Sequence, residues 1–110
     1  MRIVIIYNNY LMFKEYKMDL INLANCNRYD IGIIKEINEL NMYDKSCLSG
    51  GEVEARLLEM GFIEGARVEV LHLGAFGKEP IAIRINNSNS IIALRKNEAS
   101  AVLLEKIKND

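Results

Sequence analysis

The sequence predicts a mainly β domain: a small, strongly bent, partly open barrel of about five short antiparallel strands, with one helix inserted after the first strand and a short helix near the N-terminus. Three observations lead there. Runs rich in β-branched and aliphatic residues alternate with a period of two at residues 31–37, 67–73 and 81–85. Glycine and asparagine punctuate the chain at Gly61, Gly65, residues 74–77 and residues 86–89, where tight connections need them. The best helical stripe, Val53, Leu57 and Met60 at i, i+4 and i+7, is short and has one face to bury. So few strands cannot build a two-sheet sandwich, whereas closure into a small barrel hides most of their edges.

Taken in order, residues 1–17 join the pentad Ile3-Val4-Ile5-Ile6-Tyr7 to Asn8, Asn9, Tyr10 and Lys14 without a sustained period. They read as an N-terminal extension, whether a flexible segment, an added edge strand or a leader to a domain that begins at Met18 and runs over residues 18–110. Asp19 is placed to cap a short helix with Leu20, Leu23 and Ala24 on one face, ending near Asn25. Residues 31–37 read as the first strand and residues 38–51 as a polar connection. Ser49, three residues before Glu52, predicts a capping box at the start of the main helix, with Gly50 and Gly51 weakening that first turn.

The run Arg56-Leu57-Leu58-Glu59-Met60-Gly61-Phe62-Ile63-Glu64-Gly65-Ala66-Arg67-Val68 spells out a helix, its stop, a turn and a strand. Gly61 supplies the left-handed residue of a Schellman stop, and Phe62 folds back onto Leu57. Gly65, third in a four-residue turn, supplies the positive φ of a type II turn. Residues 67–73 then alternate, with Val68, Val70 and His72 expected on one face. Residues 74–80, with Gly77 and Pro80, read as a loop; Ile81, Ile83 and Ile85 share a strand face. Asn86-Asn87-Ser88-Asn89 turns the chain into a return strand over residues 90–96. A helical turn at 97–99 and a last strand at 101–105 complete what reads as an SH3-like barrel.

Composition narrows the function. The 110 residues, half of them hydrophobic, suffice for one core. Fourteen basic and fifteen acidic side chains leave a net charge of −1, so no overall field draws the chain to nucleic acid or an anionic membrane. Apolar runs fall short of the roughly 18–20 residues of a bilayer-spanning helix, and no secretion signal is read at the N-terminus. Cys26 and Cys47 lack C-x-x-C spacing and read as free thiols.

No catalytic, cofactor-binding or metal-binding set is expected. His72, the only histidine, reads as structural. Residues 74–78 hold glycines and a lysine, but they lack the longer phosphate-cradling run and lead into a strand. Arg67, Arg84, Arg95 and Lys96 read as solvated strand positions, given the scarcity of stacking aromatics. Leu57, Leu58, Met60 and Phe62, with Phe76 on its loop, are the candidate partner-binding residues. Leu57 and Leu58 lie about 100° apart around the helix, so one of them faces outward. An outward leucine with Phe76 would form an association patch. Open sheet edges and the isoleucine-rich N-terminus also allow self-pairing.

The chain resembles the FeoA family, small cytoplasmic components of bacterial ferrous-iron uptake, over roughly residues 18–106. Arg56 to Val68 is similar to that family's R-L-x-x-[LM]-G-[FM]-x-x-G-x-x-V. Phe76-Gly77-Lys78-Glu79-Pro80-Ile81 is similar to its L-G-D-P-[IV] loop, with Phe76 for leucine and about one extra residue. Ile92-Ala93-Leu94-Arg95-Lys96-Asn97-Glu98-Ala99 is similar to its L-A-L-R-x-x-E-A segment. The resemblance implies an SH3-like barrel and a non-enzymatic accessory of the membrane transporter FeoB, docking on its cytoplasmic part and held at the inner membrane only through that partner. A related barrel ends iron-dependent repressors, so a metal-responsive regulatory domain is the alternative. A small nucleic-acid-binding barrel is a weaker third reading.

Overall fold

The computed structural model describes residues 2–7, 10–15, 20–47 and 50–107, with residues 2–7, 10–15 and Cys47 described by backbone alone. Strands β1 (Arg2–Tyr7) and β2 (Tyr10–Glu15) pair only with each other, as an antiparallel ribbon with Val4 opposite Phe13 and Ile5 opposite Met12. The remaining strands are β3 (Leu20–Asn22), β4 (Ile31–Ile37), β5 (Arg67–Gly74), β6 (Lys78–Ile85), β7 (Ile92–Leu94) and β8 (Val102–Lys106). They form one six-stranded antiparallel sheet in the order β3-β8-β4-β5-β6-β7. Helix α1 (Glu52–Glu59) follows β4, and a single turn, α2 (Lys96–Ala99), follows β7. The sheet is bent around its core but leaves β3 and β7 as edges.

The strands exist where alternation is clearest. Val68 and Val70 from β5, Ile81, Ile83 and Ile85 from β6, Ile34 from β4 and Leu104 from β8 point to one interior and are buried. Leu57 and Phe62 close that interior from the helix side, both 0% exposed. Gly32 lets β4 and β8 approach, since a Cβ there would crowd Leu104.

The helix stop is as the glycines predict. Gly61 has φ +98°, Phe62 N–H donates to the Leu57 carbonyl at 3.0 Å and Gly61 N–H to that of Leu58 at 3.0 Å, the paired bonds of a Schellman motif. Gly65 has φ +88°, and Ala66 N–H donates to the Ile63 carbonyl at 3.1 Å, closing the type II turn. Asn86 and Asn87 both take positive φ (51° and 59°), and Ser88 N–H donates to the Ile85 carbonyl, a type I′ turn that opens the longer β6–β7 connection.

Five expectations need correction. The helix capped by Asp19 is instead strand β3 followed by one 3₁₀ turn, Leu23–Asn25, capped by the Asn22 side chain accepting from Ala24 N–H; Asp19 lies outside the described residues. The sheet gains a sixth strand in this way, and the strand that precedes α1 is its second in chain order. The N-cap of α1 is Gly51 (φ +105°), not Ser49, which lies outside the described residues. Among the described residues, the Glu39 carboxylate accepts from Val53 N–H at 3.3 Å, while the Glu54 carboxylate accepts from Glu39 N–H at 2.8 Å. This reciprocal cap is assembled from a 3₁₀ turn, Glu39–Asn41, thirteen residues upstream of helix start and invisible to a three-residue spacing rule.

His72 does not share the Val68/Val70 face. A bulge between Val70 and His72 puts two β5 residues against one on β6, and His72 turns out to solvent. The segment read as a loop over residues 74–80 is a tight hairpin: β5 runs to Gly74, which pairs with Lys78, leaving residues 75–77 as the tip. A Cβ on Gly74 would overlap the Glu79 carbonyl, so glycine is required there. Pro80, joined to Glu79 by a cis peptide bond, lies within β6. The return strand is only β7, because Arg95 leaves the ladder to cap α2, with the Glu98 carboxylate accepting Arg95 N–H at 3.2 Å.

Candidate functional site

Helix α1 packs Val53 (7% exposed) and Leu57 (0%) onto the sheet, and Leu58, one residue further around, is 59% exposed. Just beyond it the Schellman stop buries Phe62 and the type II turn throws Ile63 outward at 50% exposure. Ile37, at the end of β4, faces the same space. The result is a groove of about 250 Å³ lined by Ile37, Leu58, Phe62 and Ile63 together with Glu54 and Glu64. Its lining is mostly apolar, and its two charged members are both acidic.

A second, more polar groove of about 550 Å³ lies between the start of α1 and α2, lined by Met42, Asp44, Glu52, Val53, Arg56, Arg95, Asn97 and Glu98. An Arg56–Glu98 ion pair at 3.5 Å joins the two helices across it. Asp44 N–H donates to the Asn97 side chain at 2.9 Å, and Tyr43 N–H donates to the buried Ser100 hydroxyl at 3.1 Å, stitching the 42–44 segment to α2. Its charges are mixed, and Arg56 and Glu98 are paired with each other.

Phe76 stands apart from both grooves, at the β5–β6 tip, 88% exposed. Of the five residues expected to meet a partner, therefore, Leu58 and Phe76 are on the surface. Met60 is half-buried against the core, and Leu57 and Phe62 are interior, where they hold the helix on the sheet. The single patch expected from Leu58 and Phe76 is two separate features. Ile37 and Ile63 are members that sequence reasoning missed; an isoleucine at the first corner of a turn, Ile63, was a usable signal, because turn corners face water. Gly61 and Gly65 take the left-handed backbone expected of them, whereas Gly77 (φ +61°) sits at a hairpin tip and Pro80 within β6 rather than in an open loop.

Among the described residues, no three of His, Cys, Asp or Glu converge as metal ligands. Cys26 is buried, and desolvation, with Asp30 adding and Lys106 opposing, pushes its thiol up from 9.0 to about 12, so it is protonated and inert at neutral pH. No helix among the described residues is long and apolar enough to cross a membrane.

An SH3-like sheet domain with one inserted helix, carrying association-type surface features, is the class that this fold defines. The FeoA domain family matches residues 21–106, and the chain belongs to the FeoA family. Among solved structures, an iron uptake regulatory protein (FeoA) superposes with a TM-score of 0.62 at 25% identity, covering 80% of this chain and 99% of that one. FeoA from Stenotrophomonas maltophilia, solved with zinc and described as a procaryotic SH3 domain protein, gives 0.61 at 21% identity, covering 76% and 88%. A manganese-dependent transcriptional repressor gives 0.63 at 17% identity, covering 84% of this chain and 44% of that one; this likeness shows the fold alone. No curated protein sequence matches this chain significantly.

Proposed function

We propose that this protein is a non-enzymatic accessory of bacterial ferrous-iron uptake that docks on the cytoplasmic part of the FeoB transporter. The observation that carries the reading is membership of the FeoA family across residues 21–106, a family tied by its name to ferrous-iron transport. Surface chemistry supports it. The Leu58 groove is largely apolar, open and placed beside the Schellman helix stop, as an association site requires. Such an accessory acts in the cytoplasm and reaches the membrane through its partner.

Docking can bias the transporter only by binding two of its states unequally. The test is a titration of the purified transporter's cytoplasmic domain, in nucleotide-free, GTP-analogue and GDP forms. Saturable binding whose affinity differs between forms is the expected result, with Leu58→Glu weakening it by about tenfold or more. Absence of binding in all three forms would remove the reading.

A further inference from the structure

Phe76 is the most exposed large apolar side chain described, and it stands on a tied support. Gly74 pairs with Lys78 across the hairpin, Glu79 N–H donates to the Phe76 carbonyl at 3.0 Å, and the Glu79 carboxylate accepts Lys96 N–H at 2.7 Å. An aromatic ring presented on so constrained a tip loses little conformational freedom when it inserts into a cavity. Lys78 lies two residues on, and no ion pair engages it among the described residues.

A groove that Phe76 does not line offers the complement. The Leu58 groove, about 250 Å³, exceeds the roughly 150 Å³ cavity that accepts a benzene ring. Its lining includes Glu54 and Glu64, and Glu64, which is exposed, has no ion-pair partner among the described residues. A knob of one aromatic ring with a cation beside it thus matches a socket of mostly apolar lining that includes carboxylates, in both shape and charge. Among the described residues neither is covered, Phe76 being exposed and the groove open.

We infer that copies of this protein associate head to tail, Phe76 of one copy seated in the Ile37/Leu58/Ile63 groove of the next with Lys78 against Glu64. The contact joins two different surfaces, so it leaves a free knob and a free socket at the ends and propagates with concentration. Its small area places it at the weak end of interfaces, with dissociation at about 0.1–1 mM. This inference goes beyond the transporter reading and is tested without the transporter, so that either can fail alone.

Sedimentation equilibrium of the full chain up to about 1 mM is the measurement. Wild type is expected to show mass rising with concentration, and Phe76→Ser and Leu58→Glu, each checked by its melt to be folded, are each expected to remain monomeric. An equimolar mixture of the two variants restores association, capped at a heterodimer, because one supplies the socket and the other the knob. Lys78→Glu weakens wild-type association about tenfold, and adding Glu64→Lys to it restores the original affinity. A monomeric wild type, variants that assemble as well as wild type through another surface such as the β1–β2 ribbon, or a mixture that stays monomeric would each overturn the inference.

Discussion

At the scale of single residues, two glycines and one cysteine show how local chemistry becomes measurable. Gly65 holds φ +88°, a region where a β-branched side chain is strained, although its missing Cβ would meet nothing within 4 Å. Gly65→Val therefore costs about 1–2 kcal/mol through backbone strain alone, seen as a melting point lower by about 4–8 °C for each kcal/mol. Gly74 differs, because there a Cβ collides with the Glu79 carbonyl; Gly74→Ala is expected to lower the melting point further than Gly65→Ala does. The sequence made Gly65 legible, since a type II turn has a local signature, but the need for Gly74 arises from a strand that returns against it. Cys26 binds its proton more tightly folded than unfolded, so stability falls as pH rises from about 9.0 towards 12 and is unaffected by this group below that window. At pH 8 a thiol reagent should modify Cys26 only after denaturation; rapid labelling of Cys26 itself in the native protein, located by peptide mapping, would contradict its burial.

At the scale of elements, the helix and its stop were readable and the helix start was not. Val53, Leu57 and Met60 repeat within two turns, and Gly61 follows at once, so the signal is contained in a dozen residues. The start is held by Glu39 and Glu54 across a sequence gap, so any spacing rule that looks three residues back finds Ser49 instead. Glu39→Ala removes the acceptor of Val53 N–H and is expected to destabilise by about 1–2 kcal/mol, in the range of other lost caps, as read from its thermal melt. The bulge after Val70 is a second long-range device: period two alone sends His72 inward, and only pairing with β6 absorbs the extra residue. In the β6–β7 turn, Asn87→Gly should cost little, since it suits the left-handed position and gives up only the exposed Arg67 Nη1–Asn87 Oδ1 hydrogen bond, and Asn86→Val more, since it strains the backbone and removes the acceptor of Arg67 N–H. Equal melts for these two variants would argue against the I′ geometry.

At the scale of the whole molecule, the near-zero net charge leaves recognition to local surfaces, and the two that stand out are a groove and a knob on different elements. Because β1 and β2 pair only with each other, the six-stranded sheet does not depend on their ladder. A chain beginning at Met18 is expected to melt cooperatively with the β-rich circular dichroism of the sheet retained; loss of cooperative melting would show that the ribbon completes the core. The repressors that share this fold at 17% identity illustrate why function here follows from family membership and surface rather than from the sheet itself.

What the amino-acid sequence determined on its own was the β class, the positions of most strands, the glycine-punctuated helix stop and the family, since each rests on contacts within a few residues or on a motif read directly. What only the tertiary structure decided was which apolar side chains reach water. Leu57 and Leu58 are chemically identical, and Phe62 and Phe76 are too; each pair is separated only by what packs above it. The groove exists because Ile37 and Ile63, twenty-six positions apart in the chain, are brought to one side of Leu58 by the sheet and the turn, and no local pattern encodes that meeting.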